Sequence, residues 1–144
     1  MSGLYLFATV AGTAIAIDTV EIEAVVKVKE LSYVPAVPPH VAGLTALRSR
    51  VLTVLDAAAL INGAVDDVGR EYAIVCNIAG HSYGVLVDEV KDIVAKDSEP
   101  NTVRGRPDPV WSKYARGVLL HDNAPHFLIS LGNLIENSMT AQAA

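Results

Sequence analysis

The four histidines, His40, His81, His121 and His126, are the side chains best suited to acid–base or metal chemistry near neutral pH. Their spacing matches no zinc pattern, such as a histidine pair one helical turn apart. His121 and His126, with Asp122, bracket an Asp-Asn-Ala-Pro turn. A metal held there needs a third ligand that the local sequence does not supply. His81 follows Ala79-Gly80 and reads as an exposed turn residue. Cys76 is the only cysteine, which excludes a disulfide framework and a thiolate zinc site. Within EYAIVCNIA it reads as a small buried hydrophobe. Neither a nucleophile elbow, nor a P-loop, nor a Gly-rich dinucleotide fingerprint occurs. Glu21, Glu23, Asp88, Glu89 and Asp92 alternate with Val20, Ile22, Val90 and Ile93. That pattern is the wet face of half-buried strands rather than a catalytic dyad. Arg104 and Arg106, in Val103-Arg104-Gly105-Arg106-Pro107, offer a basic loop that is solvated by default. The expectation is therefore a protein with no catalytic residues, no metal and no cofactor. A small-molecule-binding or hydrolytic barrel using the His121/His126 region is the alternative.

The elements that position these residues follow from composition and pattern. The chain has 144 residues, 51% hydrophobic and 19% charged, with a net charge of −5. Such a composition builds a globular core. It provides no clustered cationic face for nucleic acid. The apolar start, MSGLYLFATVAGTAIAID, lacks the positive n-region of a secretory signal and is too short and interrupted to span a bilayer, so no membrane insertion is expected. It reads instead as two strands joined at Gly12.

The same pattern recurs. YLFATVAGTAIAIDTV (5–20) and YAIVCNIAGHSYGVLVDEV (72–90) each run from Tyr to Ala-Gly, turn, and end on Asp-x-Val. VAGLTALRSRVLTVLDAAALI (41–61) overlies ARGVLLHDNAPHFLISLGNLI (115–135) without gaps at an offset of 74 residues. The two modules occur in the same order in each half. The expected fold is all-β in the main: two pseudo-symmetric five-stranded SH3-like barrels packed together, with a groove between them. Residues 4–62 form the first half, 70–136 the second, and 137–144 a tail. Short helices are expected over Asp56–Ile61 and Ser130–Asn137, N-capped by Asp56 and Ser130. Asn62-Gly63 stops the first. The Pro-rich connections 33–40 and 98–109 fall at matching places.

The segment VPPHVAGLTALRSRVLTVLD resembles the signature of CheW-like domains through Pro38, Val41, Gly43, Leu44, Leu47, Arg48, Val51, Leu52, Val54, Leu55 and Asp56. YGVLVDEVKDIV, ARGVLL and FLISLGNLI resemble later stretches of that family. The chain departs from the pattern at Ala46, Ser49, Thr53 and Ser130. The resemblance spans about residues 4–136 and implies a stand-alone, cytoplasmic, non-enzymatic chemotaxis adaptor. Its implied partners are the helical tip of a methyl-accepting-type chemoreceptor and the regulatory domain of a CheA-type histidine kinase. The system served could be swimming, pilus motility or gene regulation. The family's receptor-contact valine falls on Val20, and its Gly and Arg on Gly43 and Arg48. Glu21, Ile22, Glu23 and Leu44 complete the expected contact set. The kinase contact is expected at one end of a barrel, through the strands around Gly117.

Arg48 has two readings. One is an internal ion pair with Asp56 or Glu21, of the exposed kind that contributes about 0–1 kcal/mol. The other, favoured by the resemblance, is an interface anchor whose truncation costs about 2 kcal/mol or more of binding. Arg50 is expected to be a solvated strand residue.

Overall fold

The computed structural model describes residues 3–63, 69–96 and 111–136. In chain order the strands are β1 (Gly3–Val10), β2 (Thr13–Asp18), β3 (Ala24–Lys27), β4 (Val41–Leu47), β5 (Arg50–Asp56), β6 (Tyr72–Ile78), β7 (His81–Val87), β8 (Glu89–Lys96), β9 (Ala115–His121) and β10 (Ala124–Ile129). Helix α1 (Ala57–Asn62) follows β5, and residues 131–136, here α2, follow β10. A 3₁₀ turn over Thr19–Glu21 links β2 to the approach of β3.

Four hairpins are closed by two residues each at positive φ: Ala11-Gly12, Arg48-Ser49, Ala79-Gly80 and Asp122-Asn123. Positive φ at both central positions gives the turn whose twist matches that of the strands. The shared geometry confirms the repeat. Arg48-Ser49 and Asp122-Asn123, aligned at the 74-residue offset, occupy the same turn.

The strands assort differently from the expected contiguous halves. One sheet has the order β8-β1-β2-β10-β9 and the other β3-β6-β7-β5-β4. Each sheet thus joins the first hairpin of one half to the third strand and last hairpin of the other. Exchanging every strand for its repeat equivalent converts one order into the other. The parallel pairings β2·β10 and β5·β7 join the two halves. After the segment 19–23, β3 pairs with β6 of the other half rather than with its own hairpin.

Alternation along the strands builds three cores. Tyr5 and Phe7 of β1 and Ala16 of β2 face a small core shared with Val94 of β8, Leu119 of β9 and Leu128 of β10. Val94 and Leu119 lie on the two edge strands, so this sheet curls on itself into a barrel. Val26 of β3 and Ala42 of β4 close the second sheet in the same way around Val54, Ala73 and Leu86. The opposite faces carry Leu6, Ile15, Ile17, Leu55, Ile74, Val85 and Ile129 into the largest core, which lies between the barrels. The centre of the contact between the barrels is thus a packed core. At about 25 cal/mol per Å² of apolar surface, such burial fixes the two barrels to each other.

The predicted caps are present. The Asp56 carboxylate accepts from the amides of Ala58 (3.0 Å) and Ala59 (3.3 Å). Gly63 ends α1 at φ 79°, donating to Ala59 O. The Ser130 hydroxyl accepts from Asn133 N at 3.3 Å. Cys76 is a free thiol, fully buried, and burial pushes its pKa up to about 12. The basic loop 103–107 and the tail 137–144 lie outside the described residues.

Candidate functional site: the barrel crossing and the Arg48 hairpin

The crossing from one sheet to the other passes through Val20, Glu21, Ile22 and Glu23. The Asp18 carboxylate accepts from Val20 N at 3.0 Å, and Ile22 N donates to Thr19 O at 3.0 Å. These bonds hold a tight turn with the Val20 side chain outward, 86% exposed. A fixed, solvent-facing valine between two barrels stabilises nothing within the fold. Ile22 instead packs against the central core.

The two acids beside it serve the fold. Glu21 reaches the N-terminus of α2: its Oε1 accepts from Ser130 Oγ at 2.7 Å and Gly132 N at 3.3 Å, and its Oε2 from Leu131 N at 3.4 Å. Glu21 is therefore a long-range cap within the fold. Glu23 forms a two-pronged ion pair with Arg50, at 2.7 and 3.1 Å. Its amide ties the start of β3 to Val75 O at 2.7 Å. The hydrogen bond from Arg50 holds the Glu23 pKa below its ordinary value, aided by attraction from Arg50 and Arg48. Arg50, expected to be merely solvated, is thus the ion-paired arginine, and it also reaches Ser82 Oγ at 3.4 Å.

Arg48 makes neither of the internal pairs considered for it. Glu21 caps α2, and Asp56 caps α1 while facing Arg70. Arg48 sits exposed at the tip of the β4–β5 hairpin with φ 47°. No described residue accepts a hydrogen bond from it. Arg48 lies close enough to the Glu23–Arg50 pair to act on the Glu23 carboxylate, and Glu23 stands three residues beyond Val20 in the same crossing.

Gly43 and Leu44 lie elsewhere. Gly43 is buried, and a Cβ there would meet Ser32 O at 2.7 Å. Ser32 and Leu44 exchange backbone hydrogen bonds of 2.8 and 2.9 Å, which explains the close approach. Gly43 is therefore a packing requirement of the 31–32 segment. Leu44 lines a cavity of about 490 Å³ between the edge strands β3 and β4. A second cavity, about 410 Å³, lies at the barrel junction against Val25, Tyr72, Asp88, Glu89 and Val90.

Sequence reasoning missed Arg70. Its side chain is only 4% exposed, with Nε 2.6 Å from Asp88 Oδ1 and a guanidinium nitrogen 3.9 Å from Asp56. Asp88 Oδ2 also accepts from Gly12 N at 2.9 Å. Burial raises the Asp88 pKa, but the bonds from Gly12 and Arg70 outweigh it and hold the carboxyl below its usual value. The repeated Asp-x-Val was the available signal, although the two copies act differently: Asp18 caps its own turn and Asp88 holds the Ala11-Gly12 hairpin.

The histidines of the alternative reading are buried in the first barrel. His121 stacks on Phe7 with ring centroids 4.3 Å apart, and His126 meets the same ring edge-on at 5.0 Å. His126 Nδ1 lies 2.9 Å from Ala124 O, so it carries the proton. Its Nε2 then accepts from Lys91 Nζ at 3.4 Å. Burial is the main cause that lowers the His126 pKa. Neither of the two cavities adjoins these rings. His81 is exposed at the start of β7, as expected.

Comparison with known proteins agrees with this architecture. A family model described as CheW-like domain matches residues 4–139. The chain is 23% identical over 113 residues to the chemotaxis protein CheW of Treponema pallidum (strain Nichols), covering 72% of this chain and 64% of that protein. It thus spans under two thirds of that relative. The crystal structure of the scaffolding protein TtCheW from Thermoanaerobacter tengcongensis superposes with a TM-score of 0.78 at 20% identity, covering 93% of this chain and 88% of the other.

Proposed function

This chain belongs to the CheW-like domain family, and from that premise we propose that it is a non-enzymatic adaptor of a chemosensory array. It couples the helical tip of a methyl-accepting-type chemoreceptor to the regulatory domain of a CheA-type histidine kinase. It works in the cytoplasm, recruited to membrane-bound receptors, and no described helix is long and apolar enough to cross a membrane. The two relatives carry the names of a chemotaxis protein and a scaffolding protein, which supports this reading.

The observation that carries the proposal is Val20. An apolar side chain 86% exposed on a rigid turn, three residues from the Glu23–Arg50 pair along the same crossing, has the make-up of an interface centre. A receptor tip is an amphipathic helical hairpin, and such helices dock by apolar anchors at helical spacing. The seat in this reading is the inter-barrel junction around the crossing, above the packed central core. Glu21 and Glu23 act there indirectly, by fixing the turn.

Co-sedimentation of the purified protein with receptor signalling fragments and the cognate kinase tests this. Val20→Asp and Arg48→Ala are each expected to weaken receptor capture by about tenfold or more, the equivalent of 1.4 kcal/mol. Both positions are exposed, so thermal stability should stay near wild type. Unchanged capture by both folded variants refutes the placement of the site; no capture by the wild type refutes the adaptor reading.

A further inference from the structure

The seam of the first barrel, where edge strands β8 and β9 approach without pairing, gathers His121, Asp92 and Asp122. We propose that these three side chains form a divalent transition-metal site, of the kind that takes Zn²⁺, clamping β8 to β9. His121 Nε2 lies 3.1 Å from Asp92 Oδ2 and 3.6 Å from Asp122 Oδ2. All three donor atoms fall within 4.8 Å of one another. A tetrahedral ion with bonds of about 2.0–2.1 Å holds its ligands roughly 3.3 Å apart, so the spacing suits coordination with little movement. One nitrogen and two carboxylate oxygens form a donor set that zinc accepts, with a fourth position left to water.

The nitrogen is preorganised. The His121 side chain is only 10% exposed, and its stack on Phe7 fixes the ring with Nε2 toward the seam. The carboxylates come from both sides: Asp92 from β8, Asp122 from the β9–β10 turn. Without an ion, Nε2 offers one proton at most, and Asp122 at 3.6 Å stands beyond hydrogen-bond reach. Two carboxylates therefore converge on a ring that can satisfy only one. His126 adds no ligand, since both its nitrogens are engaged. The neighbouring cations are directed elsewhere: Lys91 to His126, and Lys96 over the Phe7 face at 5.7 Å.

The second barrel shows that the fold does not require this cluster. At the 74-residue offset His121 corresponds to Leu47 and Asp122 to Arg48. Matching the Ala11-Gly12 and Ala79-Gly80 turns makes Val75 the equivalent of Phe7. Phe7 pairs with Asp92 and Val75 with Ala24, so Ala24 stands where Asp92 does. The same corner is apolar and carries an arginine.

The test is titration of the tag-free full chain with Zn²⁺ at pH 7.5 by calorimetry, with Co²⁺ absorption as a second probe of coordination. One-to-one saturable binding is expected, with a rise in Tm. Asp92→Asn and Asp122→Asn change exposed side chains and should leave the fold intact while weakening binding about tenfold or more and abolishing the Tm rise. His121→Ala should abolish binding if it folds; the two asparagine variants decide the matter if it does not. Absence of saturable binding, or affinity unchanged in both asparagine variants, overturns the site.

Discussion

The last hairpin of each half, β4–β5 and β9–β10, is one backbone design carrying opposite chemistry. Both turns place two residues at positive φ, and both hairpins run into a short capped helix. The first tip carries Arg48 and faces solvent. The second carries Asp122 and folds toward the seam with His121 and Asp92. A duplicated frame thus keeps what the strands require and frees the tips to differ. The second barrel presents its tip outward, whereas the first barrel's tip folds over its own seam.

The interiors sharpen the contrast. Phe7 fills the first barrel and supports both histidines, whereas its equivalent, Val75, is a smaller side chain, also fully buried. Phe7→Ala should therefore cost about 3–5 kcal/mol in chemical denaturation. Val75→Ala should cost about 2 kcal/mol, from the apolar groups removed. Equal costs would break the comparison.

The helix caps differ in origin. Asp56 caps α1 with its own carboxylate; at the equivalent position Ser130 supplies a hydroxyl, and the carboxylate arrives from Glu21, 109 residues away along the chain. Glu21→Ala should cost about 1–2 kcal/mol. Ser130→Asp should destabilise the wild type, because two carboxylates then share one helix end, yet recover stability in the Glu21→Ala background. A double-mutant cycle measures this coupling. Additive effects would show that Glu21 is not the missing half of the cap.

The smallest effect separates the barrels by pH. His126 has Leu52 as its equivalent, also fully buried. The folded His126 pKa is lowered, so below the unfolded value of about 6.5 the unfolded chain binds the extra proton. Stability is complete above that pH and falls as pH drops through it toward the folded pKa. Denaturation at pH 7.5 and 5 should show this loss in the wild type. His126→Leu should lessen it without removing it, because buried His40 is shifted in the same direction. An unaltered loss would show that His126 does not carry it.

The hairpins, their turns, both caps and the burial of Cys76 were legible in the sequence, because each depends on residues within a few positions of one another, and the repeat was legible because those local patterns recur in the same order. Val20 and Arg48 were reached through resemblance, and their exposure agrees with a contact role. The roles of Glu21, Glu23, Arg50 and Arg70 were not legible, since each depends on a partner well separated in sequence.

Local physics thus determined the strands: period-two burial, positive-φ turn residues and side-chain caps act over short stretches, and they specified two like halves. Which strands share a sheet was decided only in three dimensions. The exchange of hairpins between halves completes two five-stranded sheets and buries the central core between them, and no local pattern distinguishes that from two separate halves. Asp92 reaches His121 for the same reason: β8 and β9 become neighbours only when the first barrel curls closed.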